Sequence, residues 1–147
     1  MNYFKESEKI LYSKKYLENS LENLKKRKER LEAEGCPKEI SAIKYDGISV
    51  KTSGNIHSTI NKMAEYNQIL KDIKGTELLI NEIVGVVNQL QKESREVIEY
   101  WYFDRLTQDE IKDKMYFSSR TTIYKKKNKA VNEFSVLFYG GNALLNI

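Results

Sequence analysis

The apolar positions along this chain recur at helical spacings almost throughout. Between residues 3 and 34, Ile10, Leu17, Leu24 and Leu31 follow one another every seven residues, with Leu21 reinforcing the stripe. That pattern predicts one long helix. The other seam positions are mostly Ser or Lys, so the helix needs a packing partner and is not a free-standing coiled coil. Gly35, Cys36 and Pro37 stop it, because Pro37 denies the helical region to the residue before it. A second long helix is expected from residue 55 or 56 to residue 91. There Ile60, Met63, Tyr66, Leu70, Ile73, Ile80, Val84 and Val87 follow spacings of three and four, with Glu77 filling one gap. Gly75 and Gly85 are its weak points, each costing up to about 1 kcal/mol against Ala, and a bend or break is expected near Gly75. The two helices match in length and have stripes too narrow to stand alone. They are expected to pack antiparallel, or against a second copy.

Residues 35–55 form an irregular loop in this reading. Asp46-Gly47 and Ser53-Gly54 are turn dipeptides set among Ile43, Tyr45, Ile48 and Val50. A small hairpin across Asp46-Gly47 is conceivable, but a lone hairpin is marginal, so an ordered loop is expected. Cys36 reads as a small apolar residue near a helix end, and His57 as a surface residue near a helix start.

The pattern changes after residue 91. Ser94 is positioned to cap a helix reaching Tyr102, with Val97, Ile98, Trp101 and Tyr102 apolar and Trp101 assigned to the core. Thr107 and Glu110 have the spacing of a capping box, opening a short helix that carries Ile111 and Met115 on one face. Residues 116–118 make a turn, and Ser118 or Ser119 caps the next helix. In that helix Ile123, Ala130, Phe134 and Leu137 share one narrow sector. The opposite sector holds Thr121, Lys125, Asn128 and Asn132, flanked by Thr122, Tyr124 and Lys129. From Ser119 to Asn132 there are five basic residues and no acidic one. A helix built this way buries one side and offers the other to phosphates and base edges, the arrangement of a helix-turn-helix. The helix is expected to end at Gly140-Gly141, leaving a short apolar tail that docks or frays.

Composition narrows the field. The 147 residues are 40% hydrophobic and 31% charged, with one Pro and one Cys. No long apolar run or cleavable leader is seen, so a cytoplasmic protein away from the membrane is expected. One Cys and one His make no disulfide and no metal site. There is no Gly-rich phosphate loop and no nucleophile arrangement, so no enzyme, cofactor or catalytic residue is expected. The net charge of only +4 makes the local basic face a stronger signal than the whole-molecule field. The run Lys25-Lys26-Arg27-Lys28 reads as a solvated face with i,i+4 partners in preference to a second phosphate contact.

The residues Arg95-Glu96-Val97-Ile98, Leu106-Thr107-Gln108-Asp109-Glu110-Ile111, Ser118-Ser119-Arg120-Thr121-Thr122-Ile123-Tyr124-Lys125 and Lys127-Asn128-Lys129-Ala130-Val131 resemble the C-terminal part of phage transcriptional regulators of the ArpU and RinA kind. Those in turn are similar to region four of bacterial sigma factors. The sequence departs from the pattern at Lys112, where a small Ala is favoured, and at Tyr116, where a small or polar residue makes the turn. The resemblance implies control of late phage or prophage genes, such as lysis or packaging.

The expected fold is therefore all-α, with two long antiparallel N-terminal helices followed by a sigma region-four-like helix-turn-helix unit. Residues 1–91 would serve oligomerisation or interaction, and residues 92–147 would bind DNA. The expected function is a sequence-specific DNA-binding transcription regulator. Arg120, Thr121, Thr122 and Lys125 would reach base edges, with the alternative for Arg120 that it pairs with Asp109 or Glu110 of the preceding helix. Tyr124, Lys126 and Lys129 would hold phosphates, and Asn128 lies on the same face. Lys127 points to the buried side, laying its stem over core before reaching phosphate. Double-stranded DNA is the expected partner, with a homodimer and RNA polymerase contact served by the N-terminal helices. Two rivals are a sigma-factor-like RNA polymerase subunit and a helical interaction module that binds no DNA.

Overall fold

The structure, a computed structural model, describes residues 1–36 and 53–146. Its regular structure is helical, with no strand among the described residues, as the periodicity requires. The helices are α1 (Tyr3–Ala33), α2 (Ser53–Gln89), α3 (Lys92–Ile98), α4 (Gln108–Met115) and α5 (Arg120–Tyr139). A π-helical turn, Glu99–Phe103, continues α3, and a 3-10 turn, Gly141–Asn146, follows α5. The ordered loop expected around Asp46-Gly47, with the hairpin weighed against it, and the role given to Pro37 lie outside the described residues.

The chain divides into two compact units, one of residues 1–18 with 79–147 and the other of residues 19–78. That division differs from the functional boundary at 91/92 expected from the sequence. In the second unit Leu31, Cys36, Met63, Tyr66 and Ile69 form a small core. Tyr66 Oη donates to Glu32 Oε1 at 2.8 Å, and Lys25 meets Glu77 at 3.3 Å. Gly35, at φ 75°, ends α1 in a left-handed turn. Its N–H bonds the Glu32 carbonyl and that of Cys36 bonds Leu31, which satisfies two orphan carbonyls. Cys36 then packs beside Leu31, and burial pushes its thiol pKa up. Lys26 pairs with Glu22 and Lys28 with Glu32, so the basic run of α1 behaves as a solvated face. His57 is exposed, as expected.

In the first unit Leu11, Ile83, Val87, Leu90, Ile98, Tyr102, Ala130, Val131 and Phe134 form the core. Burying each of the larger side chains contributes about 1.5–3 kcal/mol. Several sequence assignments shift by one helical line. On α1 Leu31 of the expected stripe is buried and so is Leu11, which lies outside that stripe, while Ile10, Leu17, Leu21 and Leu24 are half-buried. On α2 Ile69 and Ile83 are buried and Leu70 is exposed. The 69–76–83–90 line is interrupted by polar Thr76, which hides it in the sequence. The expected break at Gly75 does not occur: α2 runs through it. Gly75 and Gly85 are exposed and a side chain there would touch nothing, so each costs only helix propensity.

Ser94 does not cap α3. The helix begins at Lys92 after Gln91, and Ser94 is buried within it. The π-helical turn then fits one extra residue into the helical rise. Tyr102 is thereby fully buried, while Trp101 is half-buried at the edge of the core. On α5 Leu137, expected on the buried sector, is 45% exposed, and Val131 is buried beside Ala130. Gly140, at φ 79°, stops α5, and Ala143 docks the tail while Leu144 and Leu145 stay exposed.

Candidate nucleic-acid interface

The candidate face is built by α4, the connection at residues 116–119, and α5. Thr107 caps α4 as its spacing requires: its Oγ1 accepts from the Glu110 N–H at 3.3 Å, and Glu110 Oε2 accepts from the Thr107 N–H at 2.8 Å. Ile111 anchors α4 in the interior. The helix ends at Tyr116, which adopts left-handed dihedrals of 56° and 36°, with its ring 93% exposed. Ser119, and not Ser118, caps α5, accepting from the Thr122 N–H at 3.3 Å. Ile123, Ala130, Val131 and Phe134 bury one side of α5 completely.

The other side of α5 holds the residues assigned to DNA. Thr121, Lys125, Asn128 and Lys129 are exposed, as are Arg120 and Tyr124, whereas Thr122 and Lys126 are half-buried. Lys125 is the exposed cation for which no ion pair is seen among the described residues. The other cations have found acids elsewhere in the chain. Arg120 grips Asp109 side-on, with Nε to Oδ1 at 3.2 Å and an Nη to Oδ2 at 3.0 Å. That carboxylate raises the guanidinium pKa further. Lys126 meets Glu93 at 2.7 Å, and Lys129 meets Glu133 at 3.7 Å. The hydroxyl of Tyr124 accepts from Gln108 Nε2, and that of Thr122 lies 3.1 Å from Ser119 Oγ. Exposed pairs such as these contribute at most about 1 kcal/mol each and exchange readily for phosphate.

Lys127 goes elsewhere. Its stem is buried, as expected, but Nζ meets Glu8 Oε1 of α1 at 3.1 Å, which corrects the reading that it reaches phosphate. It also sits 5.3 Å from the ring centroids of Phe4 and Trp101. Tyr102 Oη donates to the same Glu8 oxygen at 2.8 Å, and burial raises the phenol pKa strongly. Trp101 Nε1 donates to Tyr12 Oη at 3.1 Å, and its ring lies 5.5 Å from that of Tyr124. Trp101 therefore buttresses the first turn of α5 from the inner side. A cleft of about 480 Å³ opens beside it, bounded by Tyr12, Arg105, Gln108, Asp109 and Arg120. Arg105, at φ 51°, is stacked on Tyr12 and Tyr16 and bonds the Tyr12 carbonyl at 3.2 Å.

Sequence reasoning missed Glu8 and Glu93. They stand 119 and 33 residues from their lysines, and no local spacing signals such a pair. Asp109 was legible, since it occupies the first turn of the capped helix facing the start of α5.

The chain belongs to the family described as "Protein of unknown function (DUF1492)", whose model matches residues 38–135. The match ends within α5. No curated protein and no solved structure matches the chain. Among the described residues no helix is long and apolar enough to cross a membrane, and no group of His, Cys, Asp and Glu is placed to hold a metal ion.

Proposed function

We propose that the chain is a sequence-specific DNA-binding regulator of transcription, with α4 and α5 acting as a helix-turn-helix and α5 as the recognition helix. The observation that carries this reading is the two-sidedness of α5. Its inner side is fully buried, and its outer side presents Thr121, Lys125, Asn128 and Lys129 behind a capped first turn. Short hydroxyl and amide side chains with flanking cations suit close approach to a groove. The resemblance to ArpU- and RinA-like regulators extends the proposal to late-gene control in a phage or prophage, in the cytoplasm. The N-terminal helices are proposed to pack antiparallel. The pairs Lys62–Glu34, Tyr66–Glu32 and Lys25–Glu77 support this, since one number falls as the other rises. A homodimer and an RNA polymerase contact belong to the same proposal, and exposed Ile60, Leu70 and Leu78 on α2 are apolar positions left over for them.

The test is selection of duplexes from a randomised library by the full chain, followed by binding against unrelated competitor DNA. Enrichment of one motif that outlasts competitor supports the reading, and uniform weak binding or none overturns it. One observation favours a second reading, an interaction module without DNA binding. Arg120, Lys126, Lys127 and Lys129 all have acidic partners within the chain, which thins the positive field. A sigma-factor-like RNA polymerase subunit is distinguished by a binding assay with core polymerase.

A further inference from the structure

Arg120 and Asp109 meet in a geometry that leaves half of the guanidinium unused. A guanidinium has two donor edges suited to a paired acceptor, one formed by Nε with one Nη and the other by both Nη groups. Asp109 occupies the first edge through Nε at 3.2 Å and one Nη at 3.0 Å. The end-on edge is left open. Both side chains are 64% exposed, so that edge is reachable from solvent. Arg120 is the first residue of α5 and Asp109 the second of α4, and Ser119 and Thr107 cap the two helices, so both backbones are held firmly. An Arg on a flexible stem loses rotamer freedom when it binds, and a partner that fixes it beforehand removes part of that cost.

We infer that Asp109 is a positioning residue for base reading: it holds the Arg120 fork aimed outward, where a guanine offers O6 and N7 as paired acceptors. The inference rests on the DNA-binding reading above and goes beyond it by assigning a specificity role to a carboxylate. A carboxylate on a DNA-facing surface opposes phosphate, so its presence there lowers general affinity. Its benefit is selectivity. The pair thus unites two roles for Arg120, a brace between the helices and a reader of one base.

The experiment compares the full-length wild type with Asp109→Ala, Asp109→Asn and Arg120→Ala, using duplexes selected from a randomised library by the wild type. Arg120→Ala is expected to cut the preference for guanine at one operator position roughly five- to a hundredfold. Asp109→Ala is expected to cut it at that same position by roughly two- to tenfold, with melting close to wild type. Affinity for unrelated duplexes should hold or rise, because a negative charge has gone. Asp109→Asn keeps one acceptor and should lie between Asp109→Ala and the wild type. Replacing the guanine by 7-deazaguanine should penalise the wild type more than Asp109→Ala. A brace with no reading role predicts the opposite signature, with melting and affinity for every duplex falling together. That result, or an unchanged base preference in Asp109→Ala, overturns the inference and leaves DNA binding standing. A wild type that selects no motif overturns both.

Discussion

Lys127 Nζ of α5 lies 3.1 Å from Glu8 Oε1 of α1, across 119 residues of sequence. The same oxygen accepts from Tyr102 Oη at 2.8 Å, so one carboxylate ties the first helix to the π-helical turn and to the candidate recognition helix. Lys127 is nearly buried, and its only nearby counter-charge among the described residues is Glu8. Removing one partner of such a pair strands the other charge, whereas removing both can be close to neutral. Glu8→Ala should destabilise the chain by about 2–4 kcal/mol, less than for a fully enclosed pair because the Glu8 side chain keeps some exposure. The double variant Glu8→Ala with Lys127→Met should recover part of that loss in thermal melting. A double variant less stable than Glu8→Ala would show that the pair is not coupled.

The reach of α1 into the C-terminal core bears on any truncation. A fragment of residues 92–147 keeps the helices assigned to DNA but loses Leu11, Ile83, Val87 and Leu90 from the core around Tyr102 and Phe134. Their burial contributes about 6–12 kcal/mol in sum, on the scale of a whole domain's net stability of about 5–15 kcal/mol. The fragment is expected to lack a cooperative melt by circular dichroism, whereas the full chain is expected to show one. A fragment that melts sharply near the full-length temperature would mean the N-terminal residues add little to this core.

Tyr102 predicts an alkaline limit. Burial first, and the bond to Glu8 second, raise its pKa above the ordinary 10.0. Above about pH 10 the unfolded chain gives up this proton while the folded chain keeps it, so stability falls as pH rises. Below pH 10 the contribution is fully present. The slope is about 1.4 kcal/mol per pH unit for one such group. Tyr102→Phe cannot ionise, so its melting temperature should fall less steeply than that of the wild type between pH 10 and 11. Parallel profiles would remove Tyr102 from the account.

What could be read from the sequence was local. The capping box at Thr107 and Glu110, the stop at Gly140 and the two-sidedness of α5 each depend on neighbours within one or two turns, and each is present in the structure. The buried lines were less legible. A heptad count through Ile10, Leu17 and Leu24 selects one line, but burial also follows the partner surface, and that surface favoured Leu11. Lys127 was read as facing inward from its angle on α5, yet nothing within a few residues names Glu8. The acid-free run from Ser119 to Asn132 exaggerated the positive field for the same reason, since three of its neutralising acids, Glu8, Glu93 and Asp109, lie in other elements.

Tyr116 is a left-handed residue with a side chain that a glycine would not carry. Its φ is 56° and its ring is almost fully exposed. Left-handed backbone costs a non-glycine residue roughly 1–2 kcal/mol, and glycine's extra freedom in the unfolded chain returns part of that. Tyr116→Gly should raise stability by about 0.5–1 kcal/mol, which corresponds to a few degrees in a chain of this size. Binding to selected duplexes should be unchanged, because the substitution lies outside the outer side of α5. A lower melting temperature would count against the strain argument.

Lys125, assigned to a base edge, and Lys129, assigned to phosphate, differ in what each does before DNA arrives. Lys125 is exposed on the outer side of α5 without an ion pair among the described residues, while Lys129 lies 3.7 Å from Glu133. Each cation that neutralises a phosphate releases counterions, giving a slope of about −0.9 in log affinity against log salt per contact. Lys125→Ala and Lys129→Ala should therefore each flatten the slope by about one unit if both reach phosphate. Their costs at one salt concentration should differ. Lys129 must first leave Glu133, an exchange worth at most about 1 kcal/mol for an exposed pair, so Lys125→Ala should weaken binding more. The Lys129→Ala loss should be the same on matched and unmatched duplexes, since phosphate contacts carry no sequence information. The Lys125→Ala loss should be larger on matched duplexes, because Lys125 is also assigned to a base edge. Glu133→Gln should then strengthen binding in the wild type and leave Lys129→Ala unaffected. An unchanged salt slope in Lys125→Ala would place the duplex off this face of α5, and the assignment of α5 as the recognition helix would fall with it.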